Sequence, residues 1–145
     1  MNETKTFDIH SFLTLSGREL MEYAESFLAT EAPAMTLPTA EALVASLPSL
    51  DEEHLVYALE LVMTARPEGF TDQLLTFLTH PRAAVCCTAY RLLSRVPQNS
   101  MPADFAKKVA TVPIVELFTD DLVTGEKRSV GTNAEFIRSL MSKFA

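Results

Sequence analysis

The sequence has little glycine (4 residues), two cysteines and no tryptophan. Four glycines cannot supply many phosphate-cradling turns, and neither a G-x-G-x-x-G nor a P-loop pattern is present. G-x-S-x-G is also missing, so no nucleophile elbow is expected. Cys86 and Cys87 are adjacent within a helical pattern. Their side chains would point about 100° apart on a helix, which strains a mutual bridge, so both are expected to be reduced and the protein cytoplasmic. No run approaches the roughly 20 apolar residues of a membrane span. The opening Met1–Lys5 has no basic stretch leading into an apolar one, so no signal peptide is expected.

Basic residues are scarce where acidic ones gather. The net charge is −7 over 145 residues. Residues 1–60 carry eleven acids and two bases, whereas residues 61–145 carry eight acids and ten bases. The overall sign argues against nucleic acid, which needs clustered Lys and Arg. An acidic front keeps a protein soluble, and it can also steer a basic partner over long range.

What is abundant is helix-forming. Leu and Ala together outnumber the β-branched Ile and Val nearly threefold, which favours helices over sheets. The predicted fold is all-α, as one domain over 1–145. An N-terminal helical segment spans 8–30. Asp8 can cap a short helix with Ile9, Phe12 and Leu13 inward. Ser16-Gly17-Arg18-Glu19 then fits a capping box ahead of Leu20, Ala24 and Phe27. A linker covers 31–38. Helix pairs follow at 39–67, with Thr39 and Ser49-Leu50-Asp51-Glu52 as caps, and at 70–97, with Pro81 opening the second helix. C-terminal helices are expected over 101–144. Within them Ile114–Phe118 reads as a helical turn, Thr124–Lys127 as a loop, and Thr132-Asn133-Ala134-Glu135 as a third capping box. The predicted core includes Leu59, Val62, Leu75, Leu78, Ala89 and Leu92.

An offset of 31 residues superimposes the two pairs: Leu43 falls on Leu74, Leu47 on Leu78, Ala58 on Ala89 and Leu61 on Leu92. The run Leu74-Leu75-Thr76-Phe77-Leu78 through Pro81 and Val85 to Ala89 and Leu92-Leu93 resembles one HEAT repeat. The resemblance implies a short α-solenoid whose second helices form a face for macromolecules. Two positions depart from the family pattern. Thr79 or His80 stands where an Asp is usual, and Cys86 where an Arg is usual, so the Asp/Arg ladder between repeats is absent.

His10, His54 and His80 are not paired at i, i+3 or i, i+4, and no His-Glu-x-x-His occurs, so neither a metal nor a cofactor is expected. Glu116, Asp120 and Asp121 form a carboxylate cluster that reads as a solvated helix end. On the exposed sides of the longer helices lie Glu53, Tyr57 and Glu60, and then Tyr90 and Arg91. Tyr and Arg are favoured interface anchors. These five residues are the candidate partner-binding stripe of a non-enzymatic protein-binding module, expected to dock a basic protein as a small inhibitor or immunity protein would. The alternative is a nucleic-acid-binding or nucleic-acid-modifying protein using Arg82, Arg91, Arg95, Lys107 and Lys108.

Overall fold

Eight α-helices and one β-hairpin arise from this pattern in a computed structural model that describes residues 6–30 and 32–145. The Met1–Lys5 opening and Glu31, the first residue of the predicted linker, lie outside the described residues. The helices are α1 (Ile9–Thr14), α2 (Gly17–Leu28), α3 (Leu37–Ser46), α4 (Glu52–Ala65), α5 (Phe70–Phe77), α6 (Ala83–Ser94), α7 (Phe105–Ala110) and α8 (Ala134–Phe144). The strands are β1 (Glu116–Asp120) and β2 (Lys127–Thr132). The chain divides into two compact units, one up to Phe70 and one from Thr71. None of the helices described is long and apolar enough to cross a membrane.

In the first unit α2 and α3 both pack on α4. Leu20, Ala24 and Phe27 of α2 and Leu55, Ala58, Leu59 and Val62 of α4 are buried, at the helical spacing of their sequence stripes. Phe7 anchors an aromatic cluster, 5.5 Å from Phe12 and 5.4 Å from Phe27, with Tyr23 5.8 Å away. Such tilted and edge-on contacts place positive ring edges against negative faces. In the second unit Leu78, Ala89, Leu93, Phe105, Val109 and Leu140 are among the buried residues. Here α6 packs on α8 and β1, and α7 packs on α8. All six residues of the predicted core are buried.

The helix starts differ from expectation in an instructive way. Asp8 does cap α1, accepting from the Ser11 amide at 3.1 Å. Ser16 sits at the N-cap of α2 without a side-chain cap bond; Glu53, from α4, accepts from the Gly17 amide at 2.7 Å instead. Thr36, not Thr39, caps α3, so this helix begins inside the predicted linker. Asp51, not Ser49, caps α4, accepting from the His54 amide at 2.8 Å. Pro81 falls just before α6, whose N-cap is Arg82.

The expectation of helices throughout 101–144 is corrected by the hairpin. Residues 98–100 form a single 3-10 turn and α7 spans only Phe105–Ala110. Ile114–Phe118 is no helical turn, because β1 begins within it. β1 and β2 pair antiparallel, Leu117 with Gly131 and Phe118 with Ser129, leaving Val130 as a bulge. The Phe118 amide donates to the Pro81 carbonyl at 2.7 Å, and Arg82 grips Asp120 through two contacts of 3.1 and 3.0 Å. The predicted loop is there: Asp121 Oδ1 accepts from the Val123 and Thr124 amides, and Gly125 adopts φ 72°. A left-handed φ of this kind favours glycine. The loop leaves Leu122 and Val123 fully exposed.

Three of these turn-forming carboxylates share an electrostatic consequence. Hydrogen bonds hold Asp8 (chiefly from the Ser11 hydroxyl), Asp51 (chiefly from the His54 amide) and Asp121 (chiefly from the Thr124 amide) below the ordinary carboxylate pKa. A lowered native pKa means that the unfolded chain binds more protons. Their stabilisation is therefore complete above about pH 4 and is lost as the pH falls through the native values. Urea unfolding at pH 6 and pH 3 should show this drop. Asp51→Asn retains a capping acceptor but no charge, so it should narrow the difference between the two pH values. An unchanged difference would remove Asp51 from the account.

Candidate functional site

The five stripe residues divide between the units: Glu53, Tyr57 and Glu60 stand on α4 in the first, Tyr90 and Arg91 on α6 in the second. On α4 the spacing i, i+4, i+7 gathers three side chains on one face. Tyr57 is half-buried. Burial, followed by the negative charges of Glu25, Glu53 and Glu60, raises its phenol above the ordinary tyrosine value. A phenolate there would meet three carboxylates, so Tyr57 stays a neutral hydroxyl with an amphipathic ring.

Glu25 completes this acidic surround and was not among the predicted residues. It belongs to α2, and only the packing of α2 on α4 brings its charge to Tyr57. Its place on the outer face of α2 could be read from the sequence, but the helix that face adjoins could not. Glu53 has a second task, because its carboxylate caps α2 at Gly17. The charge follows the division of the fold. Residues 1–70 carry twelve acids and three bases, residues 71–145 seven acids and nine bases.

On α6, Tyr90 is half-buried and already partnered. Its ring stacks on Phe136 of α8 at 4.5 Å, and its hydroxyl shares a 2.9 Å hydrogen bond with Ser139. Arg91 is exposed. Beside them Cys86 is buried, and its thiol donates to the Leu78 carbonyl. Burial pushes that thiol up to about 12. Cys87 is exposed yet also raised, by partial burial that outweighs the favourable charge of Arg91. Neither environment favours a thiolate, the reactive form of cysteine.

The basic residues of the alternative reading are partly neutralised. Arg82 pairs with Asp120, and Lys108 with Asp72 at 3.1 Å. The carboxylate cluster is dispersed in the same way. Asp120 faces Arg82, Asp121 turns into its own loop, and Glu116 lies four strand residues from Asp120, on the order of 13 Å along β1.

A buried histidine and a buried asparagine each tie together segments distant in the chain. The His54 ring has Asp51 Oδ1 on one nitrogen and the Leu15 carbonyl on the other, both at 2.8 Å. Asn133 accepts from the Val115 amide at 2.9 Å and donates to the carbonyls of Leu78 and Pro113 at 2.8 and 3.0 Å. It was expected to lie within a capping box. It stands at the N-cap of α8 without a side-chain cap bond, its amide spent on these three partners.

Comparison with family models, curated proteins and solved structures finds no match to this chain.

Proposed function

We propose that this chain is a protein-binding module whose acidic first unit docks a basic protein partner, in the manner of a small inhibitor or immunity protein. The observation that carries the reading is the cluster of Glu25, Glu53 and Glu60 around half-buried Tyr57. A neutral aromatic anchor ringed by carboxylates combines contact area with charge complementarity, two hallmarks of specific docking. A HEAT-like helix pair, with α4 as its second helix and the bearer of the binding face, belongs to the same proposal. Packing of α3 on α4 supports it for the first pair. Pairing of Arg82 and Lys108 with acids weighs against the nucleic-acid alternative.

The test is to cross-link the protein to its partner in lysate of the native organism and map the cross-links, then measure kinetics with the purified pair. Tyr57→Ala should weaken binding by about 2 kcal/mol or more. Glu60→Lys should slow association, and the wild-type rate should fall as salt shortens the Debye length. Glu60 is the better charge variant because Glu53 also caps α2. Wild-type kinetics in both variants would remove this face as the interface. Binding of duplex DNA with a steep salt slope, abolished by Arg91→Ala and Arg95→Ala, would replace the proposal with its alternative.

A further inference from the structure

A groove of about 470 Å³ lies in the second unit between α5, the turn after that helix, and the end of α7. This is within the size range of small-molecule sites, roughly 300–1,000 Å³. The groove shares no residue with the acidic face of α4, and its ligand chemistry is independent of the proposed function.

Apart from one ammonium, the polar side chains of the groove are acceptors. Thr76, Thr79 and Thr111 line it, and each hydroxyl already donates to a backbone carbonyl three residues earlier, at 2.6, 2.7 and 2.6 Å. With their protons committed, the hydroxyl oxygens remain as acceptors. Asp72 adds a carboxylate. The donor among the lining side chains is Lys108, whose Nζ lies 3.1 and 3.3 Å from the two Asp72 oxygens. That hydrogen bond raises the Lys108 pKa and keeps the ammonium charged. Leu75, Val112 and Pro113 provide the apolar part of the lining.

Lys108 therefore illustrates what the groove recognises: an ammonium on Asp72. The pair is partly exposed, its side chains retaining 39% and 53% of their accessible surface. Exposed pairs of this kind are weak, so exchanging one ammonium for another is nearly neutral. Net affinity then comes from burying methylenes against the apolar lining. An anionic ligand meets the opposite situation, with the carboxylate against it and the one ammonium already engaged.

We infer that this groove binds an alkylammonium group, with Asp72 as counter-ion and Lys108 as the resident competitor that the ligand displaces. Such a group can come from a free amine or from a lysine side chain of a peptide, and the chemistry is shared.

The experiment is a two-dimensional NMR titration of the full chain with n-pentylammonium chloride. Sodium pentanoate and 1-pentanol at matched ionic strength are the controls, and Nα-acetyl-lysine-N-methylamide represents the peptide source. Pentylammonium should shift the amide signals of Thr76, Thr79, Thr111 and Val112 saturably, and pentanoate should not. Asp72→Asn, at an exposed position, should weaken binding at least fivefold. Lys108→Met should tighten it about threefold by removing the competitor. A lower Kd for the lysine amide than for pentylammonium identifies a peptide ligand, and the reverse order a free amine; either order supports the site. No saturable shift with either ammonium, equal shifts with pentanoate, or unchanged affinity in Asp72→Asn would overturn the inference.

Discussion

Replacing Asn133 with aspartate should destabilise the protein by about 3–5 kcal/mol at neutral pH, more than replacing it with alanine. The side chain is fully buried and holds the end of α5, the 113–115 segment and the start of α8 together. Alanine removes three hydrogen bonds, but the Leu78 carbonyl keeps the Cys86 thiol and the Pro113 and Val115 groups are only part-buried, so its cost stays at about 1–3 kcal/mol. Aspartate keeps the acceptor for Val115 but turns a two-donor amide group into a carboxylate oxygen facing two carbonyls. An uncompensated buried charge of this kind costs about 3–5 kcal/mol. Protonation restores one donor, so Asn133→Asp should recover part of its loss on acidification, while Asn133→Ala should not. Urea unfolding of both variants at pH 7 and pH 5 measures this. Equal losses at both pH values would mean that the carboxylate has found water or a cation.

Leu78→Ala is the second large effect, expected to cost about 2–5 kcal/mol through lost transfer energy and the cavity left behind. Leu78 is fully buried, whereas Leu92 keeps 5% of its surface, so Leu92→Ala should cost less. Leu78 also offers its carbonyl to both Asn133 and Cys86. A cavity at its side chain allows that carbonyl to shift, so the double variant Leu78→Ala, Asn133→Ala should be less destabilised than the sum of its parts. Denaturation of the two single variants and the double variant completes the cycle. Strict additivity would show that the side chain and carbonyl of residue 78 act independently.

Asn133 directly follows the hairpin, the place where sequence reasoning was least informative. The apolar stripes of α2, α4 and α6 could be read directly, because a buried helix face repeats every three to four residues regardless of its partner. β2 offered no such signal. All six of its residues are exposed, so it has no inward row to alternate with an outward one. The hairpin is held instead by tertiary contacts, the Phe118 amide on the Pro81 carbonyl and Asp120 on Arg82. These partners lie far apart in the chain, and no local pattern encodes them.

Helix caps show the same division within single residues. Ser16, Thr39, Ser49 and Thr132 all met the local rule for helix starts, yet Glu53, Thr36 and Asp51 took the roles at the first three, while Asn133 took the N-cap position before α8. Local spacing identifies where a helix can start. Which oxygen meets the free amide depends on how neighbouring helices approach. The candidate site divides likewise: Glu53, Tyr57 and Glu60 share a face by helical periodicity alone, but Glu25 joins them only through the packing of α2 on α4.

By itself, the sequence determined a mostly helical chain, the faces its helices bury and the separation of acidic from basic halves, because these arise from short-range periodicity and composition. Only the tertiary structure decided the hairpin, the burial of Asn133 and the acceptor-lined groove of Asp72 and the three threonines. Each of these depends on polar groups meeting across long stretches of chain, where the partner's identity is set by geometry and not by spacing.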